Sequence, residues 1–77
     1  MFINLIKWHG DTVFFYDNNL LHIGYYKKIK YVENQLIIIE LEKIILEIYG
    51  ENLLIIQLTD CELYIQGTVK EIDLKNE

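Results

Sequence analysis

Chemistry in this chain would have to come from two histidines (His9 and His22), one cysteine (Cys61) and twelve carboxylates. His9 stands beside Gly10-Asp11, and a His-Asp pair can orient a general base. Such a base needs a nucleophile to activate, and the chain has no serine, hence no Gly-x-Ser-x-Gly elbow. The stretch reads as a solvated turn. His22 falls inside an apolar run and reads as a side chain lining a sheet face. Cys61 has no basic neighbour before Lys70 to favour its thiolate, and reads as a small hydrophobe near a turn. The carboxylates from Glu33 to Asp73 are scattered singly, without the alternating spacing of a calcium loop. The four glycines (Gly10, Gly24, Gly50, Gly67) never cluster into a phosphate cradle. The expectation is a protein that is not an enzyme, with no catalytic residue, no metal and no cofactor.

Composition narrows the classes further. At 77 residues the chain is expected to form one domain, 1–77, in a size range where folding buries only about 60% of the unfolded surface. It offsets this with 52% hydrophobic residues. The single cysteine rules out an intrachain disulfide and leaves no zinc pattern, which suits a reducing cytoplasm. Seven lysines against twelve acids give a net charge of −5, which argues against a nucleic-acid partner. Tyr25-Tyr26-Lys27-Lys28 mixes aromatic and basic residues as nucleic-acid binders do. In an acidic chain it reads instead as an edge strand on which lysine discourages unwanted pairing. The opening run Met1 to Trp8 is broken by Asn4 and Lys7 and does not make a signal peptide. No apolar run exceeds four residues, so direct membrane insertion is not expected.

The elements that would position these residues read as strands. β-Branched and aromatic runs bounded by Gly, Asn and Asp predict strands over Phe2 to Trp8, Thr12 to Tyr16, Leu20 to Tyr26, Ile29 to Val32 and Leu36 to Leu41. Further strands are predicted over Ile44 to Tyr49, Leu53 to Leu58, Glu62 to Gln66 and Val69 to Leu74. Asp17-Asn18-Asn19 favours a turn, because these side chains tolerate left-handed φ. Glu40 to Glu47 contains helix formers, but the flanking isoleucines and the period-two alternation of Leu46 and Ile48 with Glu47 and Tyr49 favour strand.

One motif occurs twice. Leu46-Glu47-Ile48-Tyr49-Gly50-Glu51-Asn52-Leu53-Leu54-Ile55 matches Leu63-Tyr64-Ile65-Gln66-Gly67-Thr68-Val69-Lys70-Glu71-Ile72 at three apolar positions and one glycine, with an offset of 63 − 46 = 17 residues. Each copy reads as strand, glycine turn, strand, which makes Gly50, Asn52 and Gly67 the expected structural turns. Such a period fits an all-β antiparallel meander of short strands, curled into a roll or small sandwich. It also fits a β-solenoid with coils of about 17 residues. Short turns favour the meander.

Leu36-Ile37-Ile38-Ile39 and Leu53-Leu54-Ile55-Ile56 do not alternate, so neither face of those strands is written for water. Two readings remain open: a closed sheet that buries both faces, or association through Ile37, Ile39, Leu54 and Ile56 with a second copy or another protein.

The order of these pieces resembles the YabP/YqfC family of sporulation proteins. That family has a strand ending in Ile-x-Gly, a charged residue, Asn-Leu and a second strand, then Leu-x-Ile-x-Gly-x-Val/Ile and a closing strand. Here the pattern is Leu46 to Ile55 followed by Glu62 to Ile72, and it extends back to about Thr12, covering roughly 12–74. The chain departs from it at Glu42-Lys43-Ile44, where the family usually has glycine, and at Ile23-Gly24-Tyr25, where it often has Ile-Glu-Asn. It also has Met1 to Trp8 in place of the longer extension of some members. The resemblance implies a non-enzymatic protein of the mother-cell cytoplasm, acting in engulfment or in spore coat or cortex assembly. Its partners would be a second copy or another protein, membrane proteins of the sporulation machinery included. The competing readings are a small-ligand-binding β-roll and an accessory subunit of another large assembly.

Overall fold

The structure, a computed structural model, describes residues 5–7 and 13–76, with side chains described from Tyr16 onward. His9 and the expected His9-Gly10-Asp11 turn lie outside the described residues. Among the described residues, seven strands form one antiparallel sheet: β1 (Leu5–Lys7), β2 (Val13–Asp17), β3 (Leu20–Gly24), β4 (Lys28–Val32), β5 (Leu36–Glu40), β6 (Ile44–Leu58) and β7 (Glu62–Asn76). Their order across the sheet is β1-β2-β3-β7-β6-β5-β4. The all-β antiparallel expectation holds, and the antiparallel pairing of every neighbour excludes the solenoid.

Two features differ from the sequence reading. The expected strand pairs 44–49 with 53–58 and 62–66 with 69–74 are continuous, giving two strands of 15 residues each. Gly50, Asn52 and Gly67 are therefore not turns between strands but positions inside them. The meander also breaks once, since β3 pairs with β7 and not with β4.

A straight 15-residue strand would run about 48 Å, yet the molecule measures 28 × 22 × 21 Å. The β6–β7 hairpin must bend, and its ladder shifts register between Tyr49 and Gly50, between Glu51 and Leu54, and between Ile55 and Gln57. The bend divides the sheet. The near half joins Ile44–Glu51 to β5 and β4, and the far half joins Glu62–Gln66 to β3, β2 and β1. Gly24, paired with Glu62 in the far half, is linked by three residues to Lys28, paired with Glu40 in the near half. Those four Cα steps span at most about 14 Å. Crossing β7, β6 and β5 in a flat sheet would take about 19 Å. The sheet is curled so that its two halves face each other.

The inner faces meet in one core. Leu21 and Ile23 of β3, Ile37 and Ile39 of β5, Leu46 and Ile48 of β6, and Leu63 and Ile65 of β7 are almost completely buried. Each such aliphatic side chain contributes about 1.5–3 kcal/mol by leaving water. The β2–β3 turn is Asn18-Asn19 with φ of 53° and 62°, the two left-handed residues that a tight hairpin needs.

The bend frees backbone groups from the ladder, and neighbouring turns take them up. Gly50 N–H donates to Gln35 O (3.1 Å) and Leu53 N–H to Asn34 O (2.9 Å), both in the β4–β5 turn. Gly67 N–H donates to Asn19 O (2.9 Å), and Val69 N–H to the Tyr16 hydroxyl (3.1 Å). Buried amides without such partners would oppose the bend.

Candidate functional site: an open strand edge

The residues expected to form an interface divide at the bend. Ile37 and Ile39 are both 0% exposed and belong to the core. The expectation that they face a partner is corrected, because alternation along β5 turns them inward while Leu36 and Ile38 lie half-buried on the outer face. Leu54 and Ile56 are 59% and 49% exposed, and Leu58, which the sequence reading did not single out, is 52% exposed. All three sit on the far half of β6.

That segment is an edge. β5 pairs with β6 only as far as Leu36↔Tyr49, and the β4–β5 turn covers Gly50 and Leu53. From Leu54 to Leu58 the inner side of the strand is held by Gln66 to Leu63 of β7. Among the described residues, no strand pairs with its outer side. Leu53 to Leu58 carries no charge, and Gln57 is its one polar side chain.

The other edges differ in chemistry. β4 exposes Lys28 and Lys30, and its register slips between Ile29 and Tyr31. The near half of β7, beyond the reach of β3, carries Lys70, Glu71, Asp73 and Lys75. Charges and slips of this kind discourage strand addition.

The Thr59-Asp60-Cys61-Glu62 turn ends the open edge, closed by Thr59 N–H donating to Glu62 O (2.9 Å). Cys61 is exposed there. Tyr25 leans on the same turn, its N–H donating to Cys61 O, and the Tyr26 hydroxyl donates to Thr59 O (2.9 Å). Tyr25 has a φ of 60° and is 58% exposed. The expected strand Leu20 to Tyr26 stops at Gly24 because Tyr25 turns left-handed.

Sites for chemistry are thinly furnished. His22 lies on the outer face of β3, stacked on Tyr64 with ring centroids 4.4 Å apart. Its Nε2 is 3.8 Å from Glu62 Oε1, beyond hydrogen-bond reach. Among the described residues, no three His, Cys, Asp or Glu side chains gather around one point. An open cleft of about 590 Å3 lies between the β2–β3 turn and β7. Two of its polar side chains, Tyr16 and Lys70, are already engaged. The Tyr16 hydroxyl accepts from Val69 N–H and lies 3.1 Å from Asn19 Oδ1 and 3.2 Å from Gly67 O. The Lys70 ammonium holds Glu51 Oε2 at 2.8 Å, which draws the Glu51 carboxyl below its ordinary pKa.

Comparisons with known proteins returned no match to a family model, a curated protein or a solved structure. Among the described residues, no helix is long and apolar enough to cross a membrane.

Proposed function

We propose that this protein is not an enzyme and works by protein–protein association through the open edge of β6. The observation that carries the reading is the run Leu54-Ile55-Ile56-Gln57-Leu58: uncharged, largely exposed, and without a strand on its outer side among the described residues. Unpaired backbone groups beside alternating apolar side chains are what strand addition recognises. The main chain supplies affinity, and the side chains supply specificity. Leaving that aliphatic surface wet is unfavourable by about 25 cal/mol per Å2.

The setting we propose is the mother cell of a sporulating bacterium, in engulfment or in coat or cortex assembly. It rests on the YabP/YqfC-like order of strands and glycines over 12–74. The partner there is a second copy or a protein of the sporulation machinery, a membrane protein included. A small-ligand site in the cleft by Asn19 is disfavoured, because its Tyr16 and Lys70 groups already have partners.

The test is a photo-crosslinking amino acid at position 56, introduced in cells that make the protein. Irradiation is expected to give a discrete protein adduct, while the same residue at position 32, on the charged β4 edge, gives none. No adduct at 56 above the level at 32 would contradict the reading.

A further inference from the structure

We infer that the chain seated on this edge is a second copy of the same protein, its β6 running antiparallel to the first across a two-fold axis. The inference rests on the association reading above and adds the occupant.

Three observations favour a second copy. Identical strands laid antiparallel about a two-fold axis set each half of the segment against the other half of its copy, and like charges facing each other are destabilising. Leu53 to Leu58 has no charge to oppose. Beyond it, a two-fold axis through Ile56, the middle of the open stretch Leu54 to Leu58, sets Asn52 of one copy towards Asp60 of the other and Glu51 towards Cys61, so no two carboxylates face each other.

The second observation concerns closure. The other edges whose side chains are described are charged: β4 carries Lys28 and Lys30, and the near half of β7 carries Lys70, Glu71, Asp73 and Lys75. Pairing an open edge with a different edge would leave another open edge free and build a filament. Pairing the open edge with itself uses, in both copies, the one uncharged edge among the described residues and stops at two.

The third is the exposed Tyr25 at the end of the edge. Its backbone is fixed by the contact with Cys61, and rigid tyrosines of this kind anchor interfaces. The register slip between Ile55 and Gln57 keeps the intermolecular ladder short. The dimer is therefore reversible and depends on concentration.

Sedimentation velocity on the full chain from low to high micromolar concentration tests this. The mass is expected to rise from one chain to two and no further. Ile56→Lys should raise the dissociation constant at least about tenfold, the scale of a lost interface anchor, with the circular-dichroism spectrum unchanged. Leu54→Lys serves the same purpose should Ile56→Lys fail to fold. Val32→Lys on β4 should leave the dimer intact. A single-chain mass throughout, growth past two chains, or a dimer indifferent to both β6 lysines overturns the inference. A position-56 photo-adduct containing a different protein overturns the second copy while leaving association standing, and no adduct removes both.

Discussion

A β-carbon on Gly50 would overlap the carbonyl oxygen of Thr68, and one on Gly67 would sit 2.7 Å from the carbonyl oxygen of Asn52. Gly67 adds a φ of 142°, which L side chains rarely adopt. Gly50→Ala and Gly67→Ala are each expected to cost about 1–3 kcal/mol. In a domain this small that lowers Tm by roughly 4–8 °C per kcal/mol, readable in thermal melts. Unchanged melting temperatures would mean that the bend does not need glycine. A second residue-scale test is electrostatic. The Tyr49 hydroxyl donates to Glu47 Oε1 at 2.9 Å, and this bond to a carboxylate, first among its causes, holds the Tyr49 pKa above the ordinary phenol value. A phenol whose folded pKa exceeds its unfolded one adds stability below the unfolded value, and that stability is lost as pH rises through the folded one. The contact therefore weakens only in alkali, above about pH 10. Glu47→Gln should return Tyr49 towards the ordinary range in an ultraviolet titration.

At the scale of elements, the hairpin of β6 and β7 organises everything else. Its 17-residue internal match is real in the structure but means something other than two turns. Ile48 and Ile65 both point into the core, and Gly50 and Gly67 both lie at the bend, facing Val69 and the Asn52-Leu53 slip. A glycine that ends a strand and one that bends it leave the same local sequence, an apolar run broken once. Only the partner strand tells them apart, and pairing is not local. The strand positions themselves, and the Asn18-Asn19 turn, were legible because alternation and left-handed tolerance are properties of adjacent residues. The inward direction of Ile37 and Ile39 was not, because Leu36 to Ile39 has no polar residue to mark a face. Two lysines separate the faces experimentally. Ile37→Lys buries an unpaired charge in the core and should cost about 3–5 kcal/mol, enough to unfold a domain of this size. Leu54→Lys, at an exposed position, should keep the native circular-dichroism spectrum and melt within about 1 kcal/mol of the parent. Equal destabilisation by the two would mean that the far half of β6 is covered.

For the molecule as a whole, curling decides what is hidden and what remains open. A three-residue link between Gly24 and Lys28 draws the sheet's two halves together, and the facing surfaces bury the aliphatic side chains of β3, β5, β6 and β7. Because the β6–β7 hairpin is longer than either set of flanking strands, each half leaves one side of it without a strand among the described residues: the near half of β7 and the far half of β6. Charge protects the first, and nothing charged protects the second. The absence of charge from Leu53 to Leu58 was visible in the sequence. That it falls on an edge follows only from the offset between β3 and β5 along the hairpin. Hydrogen exchange measured peptide by peptide at rising protein concentration tests the central claim most directly. The amides of 54–58 that point away from β7 should exchange quickly in dilute solution and slow as the protein associates, while the outward amides of 70–75 on the charged edge stay unchanged. Exchange at 54–58 that is equally fast at every concentration, or protection that appears on the charged edge instead, would contradict the account.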